Sequence, residues 1–271
     1  MATSKLIDTC NRHLNYLRIS ITDRCNLRCR YCMPAEGVEL LRHEDILTYD
    51  EIAAFTRVAV ASGISKVRVT GGEPLARRGI VTLISMLADI EGIQDLSMTT
   101  NGTLLADHAH ALAEAGMMRV NVSLDTLDPG KYRHVTRGGD LSSVIRGIAA
   151  AQDAGLRPVK INCVIKSTPD EEDARRVAGF AMREGLEVRF IRQMDLATGT
   201  FSVVHGGSGG DCARCNRLRL TPEGMVRPCL FSDDGYSVRE VGAEEALRRA
   251  VDSKPDCGTI NHINGFYNIG G

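Results

Sequence analysis

The 271-residue sequence contains no tryptophan, and its aromatic residues make up only 4% of the chain. Recognition of single-stranded nucleic acid by base stacking needs flat aromatic platforms, so that class of function is disfavoured. An excess of charge is missing too: 33 Lys and Arg against 34 Asp and Glu leave a formal net charge of −1. A protein held to a polyanion by bulk charge is strongly basic, so only a local basic pocket remains open here. No run of about 18 apolar residues occurs, the length that a membrane-spanning helix needs. The stretch Met1-Ala2-Thr3-Ser4-Lys5 does not open an apolar export segment. A cytoplasmic setting is therefore expected, with no membrane and no nucleic acid as partner.

What the chain does have in quantity is cysteine, nine in all. Without export, the expectation is thiols kept reduced for metal binding or catalysis, not disulfides. Six of them form two tight groups, Cys25-x3-Cys29-x2-Cys32 and Cys212-x2-Cys215 followed by Cys229. Neither group has a fourth cysteine nearby in the sequence. Three thiolates match an iron–sulfur cluster with one iron left open, since the usual cluster takes four cysteines. A zinc ion completed by a distant His or Cys is the alternative. Cys163 lies in an alternating apolar run and reads as a small core residue, and Cys10 and Cys257 read as incidental.

Short β-rich runs alternate with amphipathic stretches. Strands are expected at 16–22, 66–70, 96–100, 119–124, 158–165 and 187–191, and helices at 49–62, 80–90, 107–115, 141–154 and 170–183. The first helix follows Thr48, with Glu51 three residues on, a capping-box pattern. Gly63, Gly116, Gly155 and Gly185 stand where helices should stop. Six βα repeats imply a parallel sheet with right-handed crossovers. The fold expected is α/β, a partial (βα)6 TIM-type barrel with a small C-terminal subdomain. The division is 1–196 for the barrel, 197–211 for a flexible glycine-rich connector, and 212–271 for the C-terminal cysteine region, with a hairpin at 218–227 and a helix at 243–251. Reactive groups in such barrels gather at the C-terminal ends of the strands. Cys25, Cys29 and Cys32 follow the first strand, Gly71-Gly72-Glu73-Pro74 the second, Asn101 the third, Asp125 the fourth and Gln193-Met194-Asp195 the sixth.

The spacing of Cys25, Cys29 and Cys32, with Tyr31 before the last, together with Gly71-Gly72-Glu73-Pro74, resembles the signature of the radical S-adenosylmethionine (SAM) enzymes. Within that superfamily the sequence is similar to the MoaA-type GTP 3′,8-cyclases, which begin molybdenum-cofactor biosynthesis. The likeness runs through Leu17-Arg18-Ile19-Ser20-Ile21-Thr22-Asp23, Thr99-Thr100-Asn101-Gly102 and Asn121-Val122-Ser123-Leu124-Asp125. It resumes at Cys215-Asn216-Arg217-Leu218-Arg219 and Cys229-Leu230-Phe231, and ends on Gly270-Gly271.

The resemblance implies a radical SAM lyase with two 4Fe–4S clusters, the second in a C-terminal iron–sulfur subdomain. Cys25, Cys29 and Cys32 would hold the first cluster, whose open iron takes SAM. One electron from the reduced cluster then breaks a C–S bond and leaves a 5′-deoxyadenosyl radical. Tyr31, Gly72, Thr99, Ser123 and Met194 match SAM contacts, and Glu73 matches the partner of the SAM ammonium. Cys212, Cys215 and Cys229 would hold the second cluster against the guanine of GTP. Arg18, Lys66, Arg68, Lys160, Arg189, Arg217 and Arg219 match the cations around the triphosphate. Taken on their own, Arg18, Lys66, Arg68 and Lys160 alternate with apolar neighbours and so share a face. Inward cations are costly unless an anion meets them. The implied reaction abstracts the ribose 3′ hydrogen and joins C3′ to guanine C8, giving 3′,8-cyclo-7,8-dihydro-GTP. Gly270 and Gly271 would enter the catalytic region, where glycine permits a close backbone approach. An electron donor such as a flavodoxin or ferredoxin, and a homodimer, are also implied. Two departures stand out. The family has a much longer segment than 195–211 before its second triplet, and its residue two before the SAM-contacting methionine is acidic where this chain has Arg192. They leave two other readings open: a related radical SAM enzyme acting on another nucleotide or small metabolite, and a peptide-modifying maturase with an auxiliary cluster.

Overall fold

The computed structural model describes residues 6–270, so Gly271, expected in the catalytic tail, lies outside the described residues. Six strands lead the fold: β1 (Tyr16–Ser20), β2 (Lys66–Thr70), β3 (Asp95–Thr100), β4 (Arg119–Ser123), β5 (Lys160–Ile165) and β6 (Glu187–Arg192). Between them run α1 (Tyr49–Ala61), α2 (Ile80–Ala88), α3 (Leu105–Glu114), α4 (Pro129–Thr136), α5 (Leu141–Asp153) and α6 (Glu172–Arg183). The remaining elements are a 3₁₀ turn (Pro74–Ala76) after β2, then β7 (Arg217–Leu220), β8 (Met225–Arg227), β9 (Tyr236–Ser237), α7 (Val238–Val241), α8 (Ala243–Asp252) and α9 (Phe266–Ile269). The expected capping box is present at α1: the Thr48 hydroxyl accepts from Glu51 N, and the Glu51 carboxylate accepts from Thr48 N.

All strands belong to one sheet in the order β6-β5-β4-β3-β2-β1-β7-β8-β9. Pairing from β6 through β1 to β7 is parallel, and β8 and β9 add an antiparallel meander. The sheet ends at β6 and does not close, which makes it a partial TIM-type barrel. β7 joins the main sheet, in register with β1, so sheet hydrogen bonds tie the second cysteine group to the strand that precedes the first.

The two faces of the strands divide the work. Leu17, Ile19, Val67, Val69, Leu96, Met98, Val120, Val122 and Ile161 are fully buried and pack with the helices. Cys163 belongs to the same core, as expected. Residues of the opposite parity, among them Arg18, Arg68, Thr99, Arg119, Asn162 and Arg189, face a cavity on the inner side. Stretch 197–211, expected to be flexible, is instead tied down. Phe190 pairs with His205 and Asp195 with Thr200, and Val204 N donates to Gly209 O at 2.8 Å.

Candidate active site

The first cysteine group occupies the loop after β1, and the end of β2 grips that loop. Gly72 N donates to Thr22 O at 2.7 Å and Glu73 N to Arg24 O at 2.9 Å. A Cβ on Gly72 would lie 2.4 Å from the Arg24 carbonyl oxygen, so the approach admits glycine only. Cys32 N and Met33 N both donate to Cys29 O, folding the loop into a turn. Leu27 N donates to Cys25 Sγ at 3.4 Å, and Asn101 Nδ2 lies 3.9 Å from it. Cys25, Cys29 and Cys32 all line the cavity. Burial pushes Cys29 and Cys32 up to about 12 and raises Cys25 as well. The metal-free thiols are thus protonated, and metal binding must release their protons.

Around this group, Tyr31, Gly72, Thr99, Ser123 and Met194 line the same cavity. The Tyr31 hydroxyl donates to Asp125 Oδ2 at 2.8 Å, while Asp125 Oδ1 accepts from Val164 N. Burial raises Asp125 to about 6. The Thr99 hydroxyl is buried with no hydrogen-bond partner. Such a group costs about 1–3 kcal/mol and is what a polar ligand would satisfy. Glu73 is not among the lining residues. It is fully buried, and its carboxylate accepts from Leu75 N, Thr100 Oγ1 and Asn101 N at 3.0, 2.7 and 2.6 Å. Glu73 thereby ties the end of β2 to the end of β3, and burial raises it to about 7.

A row of arginines crosses the sheet. Arg68 on β2 and Arg219 on β7 both stand opposite Arg18 on β1. Burial, and then repulsion from Arg219, holds Arg18 well below its ordinary value. Burial, and then repulsion from Arg217, lowers Arg219 to about 10. Arg68 donates to Ser97 Oγ and lies over the Tyr16 ring. Arg219 donates to Ile269 O and Gly270 O. Lys66, Arg189 and Arg217 also line the cavity. Like charges facing each other across strands are destabilising, and buried cations need an anion. Among the described residues no carboxylate forms a salt bridge with Arg68, Arg189, Arg217 or Arg219. Lys160 differs: its ammonium pairs with Glu187, and it is not a lining residue. Gly270, at φ +72°, packs on Thr70, where a Cβ would come within 2.5 Å of Thr70 Cγ2.

Cys212, Cys215 and Cys229 line the same cavity, of about 470 Å³, as the first group. Burial acts upward on Cys215, but Lys254 and then the Arg217 N–H outweigh it, and its thiol is lowered. Lys254 is buried, and its Nζ donates to Arg217 O and Pro228 O at 2.8 and 2.6 Å. Among the described residues no three His, Cys, Asp or Glu side chains converge on a single metal position. The thiols border a volume, and two sets of three suit clusters that each keep one ligand position free. Sequence reasoning missed Lys254, Arg119 and Phe201 as lining residues, and the contact of Cys257 with Cys212. Lys254 and Arg119 carried no signal beyond charge. Phe201 stacks on Phe231 with ring centroids 4.6 Å apart, a long-range pairing that no local pattern announces.

The radical SAM superfamily model matches residues 19–181, more than half of the chain. This chain belongs to the radical SAM superfamily, so it is an enzyme that uses SAM and an iron–sulfur cluster. Among curated proteins it is similar to a GTP 3′,8-cyclase of Moorella thermoacetica, 45% identical over 301 residues, covering 92% of this chain and 93% of that protein. A GTP 3′,8-cyclase of Geobacter sulfurreducens is 41% identical over 304 residues, covering 93% of each. At that identity and coverage the family within the superfamily is that of the GTP 3′,8-cyclases. The matched span of 301 residues exceeds the whole 271-residue chain, so the relative carries residues absent here. Among solved structures the fold is similar to Streptococcus suis SuiB bound to precursor peptide SuiA. The TM-score is 0.68 at 15% identity, over 90% of this chain and 66% of that one.

Proposed function

We propose that the chain converts GTP to 3′,8-cyclo-7,8-dihydro-GTP, the step that opens molybdenum-cofactor biosynthesis. The observation that carries this reading is the single cavity bordered by both cysteine groups and floored by the row Arg68, Arg18 and Arg219. In it, Cys25, Cys29 and Cys32 hold the SAM-binding cluster, and Cys212, Cys215 and Cys229 hold the second. When bound, the first cluster and SAM together supply the radical that abstracts hydrogen. Tyr31, Gly72, Thr99, Ser123 and Met194 position SAM, with the unpartnered Thr99 hydroxyl ready to donate or accept. Glu73 acts by holding the strand ends on which those contacts sit.

Arg18, Lys66, Arg68, Arg189, Arg217 and Arg219 bind the triphosphate through charge-assisted bonds. The anion relieves the repulsion that the row otherwise stores. Lys160, paired with Glu187, acts on the edge of this set and not on the phosphate directly. Gly270 brings the tail backbone to the catalytic region, with Arg219 holding it in place. The folded 197–211 stretch takes the place of a longer family segment, and Arg192 adds a cation to the lining. A flavodoxin or ferredoxin supplies electrons, the setting is an anaerobic cytoplasm, and the enzyme works as a homodimer.

The test is anaerobic incubation with SAM, dithionite and GTP, followed by chromatography and mass spectrometry. A product isomeric with GTP, formed together with 5′-deoxyadenosine, is expected. 5′-Deoxyadenosine with no GTP-derived product overturns the choice of substrate.

A further inference from the structure

Cys257 is exposed, yet its Sγ lies 3.5 Å from that of Cys212, 45 residues away in the chain. We propose that these two cysteines form a reversible dithiol–disulfide pair at the rim of the second cysteine group, a modification site that reacts with small-molecule disulfides. The part of this proposal that concerns cluster assembly rests on the reading of Cys212 as a ligand of the second cluster.

The backbone sets the proximity on both sides. Arg12 donates to Cys212 O at 2.8 Å, to Asp256 O at 3.0 Å and to Pro255 O at 2.6 Å. Its own guanidinium is fixed by Asp8, at 2.6 Å. One buried side chain thus staples the carbonyl of one cysteine to the segment that carries the other. On the far side Thr259 N donates to Phe231 O at 2.9 Å. A Cβ on Gly258 would stand 3.1 Å from Cys229 Sγ, so this segment lies directly over the group. A disulfide needs its sulfurs at about 2.05 Å. Closing the remaining ~1.5 Å is within the range of side-chain rotation, with the backbone held where it is.

The order of events follows from exposure. Cys257 is open to solvent and Cys212 is half-buried. The Cys257 thiolate attacks a disulfide RSSR, forming a Cys257–SR mixed disulfide and releasing one RSH. The Cys212 thiolate then attacks the Cys257 sulfur, forming the Cys212–Cys257 bond and releasing the second RSH. Two electrons pass from the two thiols to RSSR, and both thiol protons leave on the two RSH. The disulfide and a cluster compete for Cys212. With the cluster lost, the disulfide keeps a ligand at an oxidation level that thiols reverse, below the irreversible sulfinic stage.

The experiment uses the full chain stripped of iron by chelation and incubated with glutathione disulfide. Peptide mapping under non-reducing conditions is expected to find Cys212 and Cys257 linked, with a mass two hydrogens below the sum. Supplying iron and sulfide without added thiol should then load the oxidised wild type with about half the iron of Cys257→Ser, and dithiothreitol should remove the difference. Glutathione retained on Cys257 with Cys212 free overturns the disulfide. A Cys212–Cys257 link that leaves iron loading equal in wild type and Cys257→Ser overturns the competition and, with it, the assignment of Cys212 as a cluster ligand.

Discussion

At the scale of single residues, the chemistry is set by charges placed where water is scarce. Arg219 is the clearest case: it is buried, lowered to about 10, and bonded to the carbonyls of Ile269 and Gly270. Removing one charge-assisted contact of this kind costs about 1.5–3 kcal/mol. Arg219→Ala should therefore weaken GTP binding by about 10- to 100-fold, measured by equilibrium dialysis, while SAM cleavage without GTP is preserved. Arg217, which reaches Ser208 from a more open position, should give a smaller loss that grows less visible as salt rises. Glu73 predicts a pH dependence of opposite character. Burial raises it from 4.5 to about 7, so between those values the folded chain keeps a proton that the unfolded chain has released. Stability of the metal-free chain should fall as pH rises through that window, with Asp125 adding in the same sense. Urea unfolding across the range should give a shallower slope for Glu73→Gln. An unchanged slope would mean that Glu73 does not titrate there.

At the scale of elements, the strand ends and the loops they hold matter most. Gly72 packs against the Arg24 carbonyl at a distance that no Cβ tolerates. Gly72→Ala should destabilise the chain by about 1–3 kcal/mol, seen as a lower denaturation midpoint, and should lower iron uptake at the first group. The six barrel strands, the β7–β8 hairpin and six of the helices, α8 among them, were legible in the sequence because their apolar periodicity and turn residues are local. β2 matches its expected bounds, and β1 stops at Ser20, two residues early, where the chain turns into the cysteine loop. α4 escaped notice because its eight residues bury only Tyr132 and Thr136 and so carry almost no apolar stripe. The pairing of β7 with β1 and the contact of Cys257 with Cys212 join residues far apart in sequence. No window of sequence holds such information. The glycine content of 197–211 pointed to flexibility, whereas backbone bonds to β6 and within the stretch order it.

At the scale of the whole molecule, near-neutral net charge conceals a concentrated cationic floor, and six of the nine cysteines gather in two groups of three around one volume. The parallel pairing of β1 with β7 explains how. It sets the strand before the first group next to the strand after Cys212 and Cys215, and it aligns Arg18 with Arg219 in the same step. The cysteine motif and the Gly-Gly-Glu-Pro turn made the superfamily readable, because their spacing is local. Which cations reach the cavity was only partly readable, since Lys160 has the right parity but a carboxylate partner. The proposed function requires the two cysteine groups to divide one reaction between them within this cavity. The most direct test compares Cys29→Ala with Cys215→Ala under anaerobic turnover with SAM, dithionite and GTP, measuring 5′-deoxyadenosine and the GTP isomer together. Cys29→Ala is expected to lose both products, while Cys215→Ala keeps much of its 5′-deoxyadenosine and loses the isomer. Equal loss of both products in both variants would contradict it.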